Sequence, residues 1–322
     1  MNKQFEKCNI ERNAELKTYG VFGKSDYIPR NTIYNKLKVI EYNLNILLEL
    51  IQHKIFQKVN IPFIEFLITT KCTLKCKKCS NLIPYFNKDS HFEIDFENFC
   101  RDLDSLLLGV NNIKHFELIG GEPFIHKDVG KMLEYANSKK QIKNIYIVTN
   151  STIIPNEDIL VSMKKCNKKL TVMISDYSAN LAIKERLKIS ELKALLNKNH
   201  IKFISRNDFH WYDMGGVEFK NRPMQKNIAL YQACNCFCNA IFKGKLHVCP
   251  RSANILGLGD YKIDKSDYVE LRRFRTSNSA KLDLLNFYSN LHTSPCQYCN
   301  SFAERIEVMP AEQITKEALN DR

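Results

Sequence analysis

Residues 71–79 read Lys71-Cys72-Thr73-Leu74-Lys75-Cys76-Lys77-Lys78-Cys79, which sets three thiols at a C-x3-C-x2-C spacing. The run before them, Phe63-Ile64-Glu65-Phe66-Leu67-Ile68-Thr69, is dense in β-branched and aromatic residues. It reads as a buried strand that feeds straight into the cysteine loop. A 4Fe-4S cluster takes one thiolate per iron, so three cysteines leave the fourth iron open to a ligand other than protein. Structural zinc is the alternative; it asks for four closed ligands, and His91 is the nearby candidate.

A second strand-like run, His115-Phe116-Glu117-Leu118-Ile119, ends in Gly120-Gly121-Glu122-Pro123. Two adjacent glycines let the backbone turn sharply and approach a ligand closely, and Glu122 offers an acceptor for an ammonium group. Alone, these four residues also suit an ordinary tight turn. In this order the two motifs resemble those of the radical S-adenosylmethionine (SAM) superfamily, whose hallmarks are a C-x3-C-x-aromatic-C loop after the first barrel strand and GGE or GGEP after the second. The chain departs from that pattern at Lys78, where the family carries an aromatic residue near the adenine.

The resemblance implies that Cys72, Cys76 and Cys79 hold a 4Fe-4S cluster and that SAM binds the open iron, with Gly120, Gly121, Glu122 and Pro123 around it. An electron from the reduced cluster then cleaves the sulfonium bond, and the resulting 5′-deoxyadenosyl radical abstracts a substrate hydrogen. Two further runs, Ile145–Asn150 and Leu170–Asp176, end in polar residues. Functional groups gather at such strand ends in parallel α/β barrels. The resemblance places Asn150, Ser175 and Asp176 against the ribose or carboxylate of SAM; turn and cap chemistry explains them equally well.

Helix-like periodicity over 95–108 and 184–196 separates the strands. Alternating strands and helices predict an α/β fold with a parallel sheet. About five such units between Pro62 and Arg206 suit a partial (β/α) barrel better than a closed one of about 250 residues. The expected organisation is an N-terminal helical extension over 1–60, the partial barrel over 61–230, a small cysteine-rich domain over 231–310 and a tail over 311–322. Within the extension, Thr32 to Val59 reads as one amphipathic helix, and its embedded lysines and glutamates exclude a membrane span.

The second cysteine group spans Cys234, Cys236, Cys238 and Cys249, followed by the pair Cys296 and Cys299. Lys243-Gly244 reads as a two-residue hairpin turn, and counting outward from it opposes Cys238 to Cys249. One upstream thiol, Cys249 and the C-x2-C pair complete a four-cysteine site. The spacing is similar to the auxiliary-cluster domain called twitch, the shortened SPASM form, which implies a second, auxiliary 4Fe-4S cluster; zinc is the alternative metal. Cys8, Cys100 and Cys166 have no spaced partners and read as small buried hydrophobes.

Net charge is +13 and the lysines are scattered, with no aromatic-and-basic RNA module, which disfavours nucleic acid. Basic surface suits an anionic or nucleotide-linked small-molecule substrate and an acidic electron donor such as a flavodoxin or ferredoxin, the donors typical of the superfamily. Abundant thiols and no basic-then-apolar leader at Met1 predict the cytoplasm. Twitch-bearing relatives imply oxidation or other modification of a sugar-like or aminocyclitol alcohol, with the auxiliary cluster accepting an electron. The alternatives are a peptide maturase and a non-catalytic iron-sulfur or zinc protein. His210, Trp211, Tyr212 and Asp213 form a polar-aromatic group that could line the substrate site, although such residues more often pack a core.

Overall fold

A computed structural model describes residues 59–206, 211–234, 238–259, 261–262, 264–290, 292–300 and 304–314. The expected helix over Thr32 to Val59 falls almost wholly outside them, as do Cys8, His210 and Cys236.

The four predicted strands form with ends shifted by up to three residues, β1 Asn60–Thr69, β2 Asn112–Gly120, β3 Ile142–Thr149 and β4 Leu170–Ser175, and a fifth, β5 Lys202–Arg206, follows them. Each pairs in parallel with the next, with Glu65 opposite Glu117, Ile145 opposite Leu170 and Ser175 opposite Arg206. Between them lie α1 Phe96–Gly109, α2 Val129–Ser138, α3 Glu157–Lys165 and α4 Ile189–Lys198. Helix α1 starts where Asp95 accepts the Asn98 N–H at 2.7 Å, a side-chain cap on an otherwise orphaned donor. Its residues Phe99, Leu103, Leu106 and Leu107 repeat at helical spacing and are all buried. The expected helix over 184–196 divides into a short 3-10 turn at Lys184–Arg186 and α4, which starts at Ile189.

Beyond β5, the described chain forms β6 Trp211–Tyr212, α5 Met224–Gln232, β7 Asn239–Phe242, β8 Lys245–His247, α6 Pro250–Leu258, β9 Tyr268–Glu270, α7 Ser277–Tyr288 and β10 Glu307–Val308. The Lys243-Gly244 hairpin forms, and both residues take positive φ (49° and 73°), as a tight primed turn demands.

That hairpin joins the main sheet. Strand β7 pairs in parallel with β1, Ile64 opposite Asn239, so the strand order is β5-β4-β3-β2-β1-β7-β8-β9. The sheet is open, with β5 at one edge and β9 at the other. One buried core runs from Phe66, Phe99 and Phe116 through Ile241, Leu246, Val269, Leu284 and Phe287. The 231–310 segment therefore shares sheet and core with the parallel unit. No helix among the described residues is long and apolar enough to cross a membrane.

Candidate metal centre

The cysteine loop leaves the carboxyl end of β1 and is pinned at once by the end of β2. Gly121 N–H donates to Thr69 O and Glu122 N–H to Lys71 O, both at 2.8 Å. A Cβ on Gly120, whose φ is +153°, would stand 2.1 Å from Thr69 O, and one on Gly121 would stand 1.9 Å from Lys71 O. The two glycines thus serve a close approach of backbone to backbone at the root of the loop, where the sequence suggests an approach to a ligand.

Cys72, Cys76 and Cys79 meet in one cluster with Leu74, Tyr177, Ile183, Trp211 and Ala311. Burial pushes the Cys72 and Cys76 thiols up to about 12 and raises Cys79. For Cys72 and Cys76, the charges of the neighbouring cysteines add to the rise. Three desolvated sulfurs that repel one another as thiolates are a donor set that calls for a cation. Iron in a cluster supplies that cation and takes thiolate sulfur, so these residues fit the group. Cys72 Sγ accepts N–H groups from Leu74 (3.4 Å) and Asn150 Nδ2 (3.6 Å).

Glu122 is fully buried beside this loop. Its Oε1 accepts Thr149 Oγ1–H (2.9 Å) and Phe124 N–H (3.2 Å), and its Oε2 accepts Asn150 N–H (2.8 Å). A carboxylate has about four acceptor positions, so about one remains for an incoming donor. Burial lifts this carboxyl to about 7 against the pull of those hydrogen bonds. Pro123 opens the short helical turn Pro123–Ile125 that follows.

The remaining expected residues divide. Asn150 turns its amide onto the cysteine loop, with Nδ2 bonding Thr73 Oγ1 at 3.0 Å and Oδ1 accepting Thr152 N–H at 3.0 Å. Ser175 is buried and hydrogen-bonds Tyr177, whose hydroxyl is raised by burial and by the nearby cysteines. Asp176 serves its own turn and β5, accepting Ser178 N–H (3.1 Å) and Ser205 Oγ–H (3.4 Å). His91 Nδ1 lies 3.1 Å from Thr70 Oγ1 at the loop entrance.

Trp211 and Asp213 dock on the cysteine loop. Trp211 Nε1 donates to Lys78 O at 2.9 Å, its ring lies 5.4 Å from that of Tyr177, and Lys78 Nζ pairs with Asp213 at 2.8 Å. The loop therefore has aromatic neighbours despite Lys78. Tyr177 carries no sequence signal apart from its place just beyond β4.

In the second group, Cys296 and Cys299 share one turn, with Cys299 N–H donating to Cys296 O at 3.2 Å. That turn packs against α5, which Cys234 follows, and against α6, which Cys249 precedes. Cys249 Sγ caps α6 by accepting Ser252 N–H at 3.4 Å. Extending the β7–β8 register by two residues sets Cys238 opposite Cys249. Among the described residues, no group of three or more His, Cys, Asp or Glu is gathered as one metal ion requires, and none of the cysteines is in a disulfide. A cluster spreads its thiolates over separate irons.

This chain is similar to known proteins over part of its length. A GTP 3′,8-cyclase of Clostridium botulinum is 30% identical over 110 residues, which cover 34% of this chain and 33% of the cyclase. AlbA, the antilisterial bacteriocin subtilosin biosynthesis protein of Bacillus subtilis, is 29% identical over 115 residues, 36% of this chain and 24% of AlbA. These relatives support the radical SAM superfamily. The matched stretch thus spans about a third of the cyclase's length and about a quarter of AlbA's. No family model matches the chain. Among solved structures, BtrN in complex with AdoMet and 2-DOIA aligns at a TM-score of 0.46 and 14% identity, over 79% of this chain and 97% of BtrN.

Proposed function

We propose that this chain binds a 4Fe-4S cluster through Cys72, Cys76 and Cys79, binds SAM beside it, and abstracts a hydrogen from a sugar-like or aminocyclitol alcohol. The observation that carries the reading is the meeting of three thiols, Cys76 buried and Cys72 and Cys79 half-buried, with a buried carboxylate, Glu122, whose charge Cys72 senses. When bound, cluster and SAM together supply one-electron reductive cleavage to a 5′-deoxyadenosyl radical.

The chain's own residues bind, orient and exclude water. Glu122 Oε2 takes the ammonium of SAM at its remaining acceptor position. Asn150 holds Cys72 and Thr73 in place, while Tyr177 and Trp211 wall the cluster from solvent. Glu117 lies within electrostatic reach of Glu65, its partner across β1 and β2, and of Arg206 on β5. Cys249, Cys296, Cys299 and one of Cys234, Cys236 and Cys238 hold an auxiliary 4Fe-4S cluster that accepts the substrate's electron. The electron donor is an acidic flavodoxin or ferredoxin, and the compartment is the cytoplasm. A second reading, peptide modification, is favoured by the likeness to AlbA.

The test is iron and acid-labile sulfide per chain after anaerobic reconstitution, in the wild type and in a Cys72, Cys76 and Cys79→Ala triple variant. About eight irons falling to about four supports two clusters; about four falling to none leaves one and removes the electron-acceptor role. Equal iron in both proteins ends the reading. Dithionite-driven 5′-deoxyadenosine output, with an aminocyclitol, a sugar nucleotide or a leader peptide added separately, then separates the two substrate classes.

A further inference from the structure

Residues 310–314 form a strap across the cysteine loop. Gln313 bridges Cys76 as an isolated antiparallel pair, Ile314 N–H donates to Lys75 O at 2.9 Å, and Lys77 N–H donates to Glu312 O at 2.5 Å. Asn180 Nδ2 anchors the strap's start by donating to Pro310 O at 3.0 Å, and Ala311 is fully buried among the cysteines.

The side chain of Gln313 faces the sulfur. Its Oε1 accepts Lys75 N–H at 2.9 Å, which fixes the amide's orientation and turns Nε2 the other way. The two Nε2 hydrogens then go to Ala311 O at 2.6 Å and to Cys76 Sγ at 3.5 Å. Where Cys72 takes a donor from its own loop, Leu74, Cys76 takes this one from a residue 237 positions away.

Resting on the reading that these thiols hold a cluster, we propose that Gln313 is a positioning residue for it: the strap holds the loop in ligating shape, and the amide N–H raises the cluster's reduction potential. An N–H donor on a ligating sulfur stabilises added negative charge, and the reduced cluster carries one more electron than the oxidised one. The donor therefore favours the reduced state that delivers the electron to SAM. The strap couples the 310–314 segment to that potential.

The test is EPR-monitored redox titration of the signal that changes when SAM is added, with iron content measured in parallel. The full-length chain is compared with Gln313→Glu and Gln313→Leu. Gln313→Glu keeps an acceptor for Lys75 N–H and removes the donor to sulfur; Gln313→Leu removes both. The expected result is a lower midpoint potential in both variants, the larger drop in Gln313→Glu, whose carboxylate repels the extra electron. Iron loss in Gln313→Glu alone also places residue 313 at the sulfur. An unmoved potential, or equal iron loss in both variants, overturns the proposal. A wild-type chain that takes up no iron through Cys72, Cys76 and Cys79 defeats the underlying reading instead.

Discussion

Arg251 Nη2 donates to the Tyr298 carbonyl at 3.0 Å, and the same guanidinium reaches Gly216 O at 2.8 Å and Ser80 O at 3.4 Å. Arg251 lies two residues after Cys249, Tyr298 lies between Cys296 and Cys299, and Ser80 follows Cys79. One buried cation thus ties the backbone beside both cysteine groups into a single unit. It also pulls the Cys79 thiol downward against burial.

Replacing that cation leaves three carbonyls facing an apolar chain. Hydrogen bonds to a charged group are worth about 1.5–3 kcal/mol each and are not additive, so Arg251→Leu is expected to lose about 3 kcal/mol of stability. Thermal unfolding of the iron-free protein measures it. Arg251→Lys is expected to lose less while failing to span all three carbonyls, because an ammonium lacks the guanidinium's fork. A melting temperature unchanged in Arg251→Leu would contradict the account.

The Glu122 carboxyl titrates near 7 because burial disfavours its charge, against about 4.3 in an unfolded chain. The native state therefore holds a proton that the unfolded state has released between those values. Its contribution to stability is present below about 4.3 and is lost as pH rises to about 7. Binding an ammonium has the opposite sign, since it needs the ionised form. SAM affinity is expected to weaken as pH falls below 7, by up to about tenfold per unit. Equilibrium dialysis of reconstituted protein at pH 6, 7 and 8 reads this slope, and Glu122→Gln is expected to bind weakly with no slope.

Strands β1 to β4 were legible because each is dense in β-branched, aromatic and other apolar residues. The cysteine loop and Gly120-Gly121-Glu122 were legible because they sit where those runs stop. The pairing of β7 with β1 was not: the four residues of Asn239–Phe242 carry nothing that names a partner so far away in sequence. The strap reads as a tail for the same reason, since Gln313 gains its meaning only from Cys76. Trp211 stands out in the sequence as a candidate lining a substrate site, but only the fold shows it against Lys78 O.

Gly121 gives a sharper test of the loop's root. An added Cβ would fall 1.9 Å from Lys71 O and 3.0 Å from the Cys72 Cβ, so the loop must move away from β2. Gly121→Ala is expected to keep its far-ultraviolet circular dichroism, because the sheet core lies below the loop, while losing the iron held by Cys72, Cys76 and Cys79, about four per chain. Retention of that iron would show that the loop tolerates displacement.

Trp211 and Tyr177 pack against the thiol cluster, one ring tilted against the other at 55°. Such a pair is worth about 0.5–1.5 kcal/mol beyond its buried area, and Trp211→Ala also gives up the hydrogen bond to Lys78 O. The larger consequence is access. With the indole gone, water and oxygen reach the half-buried Cys72 and Cys79 and the buried Cys76 more readily. Trp211→Ala is therefore expected to take up iron anaerobically as the wild type does, and to lose its visible cluster absorbance in air several-fold faster. Trp211→Phe, which keeps a ring over the loop, is expected to fall between them. Equal bleaching rates in all three proteins would mean that oxygen enters by another face of the site.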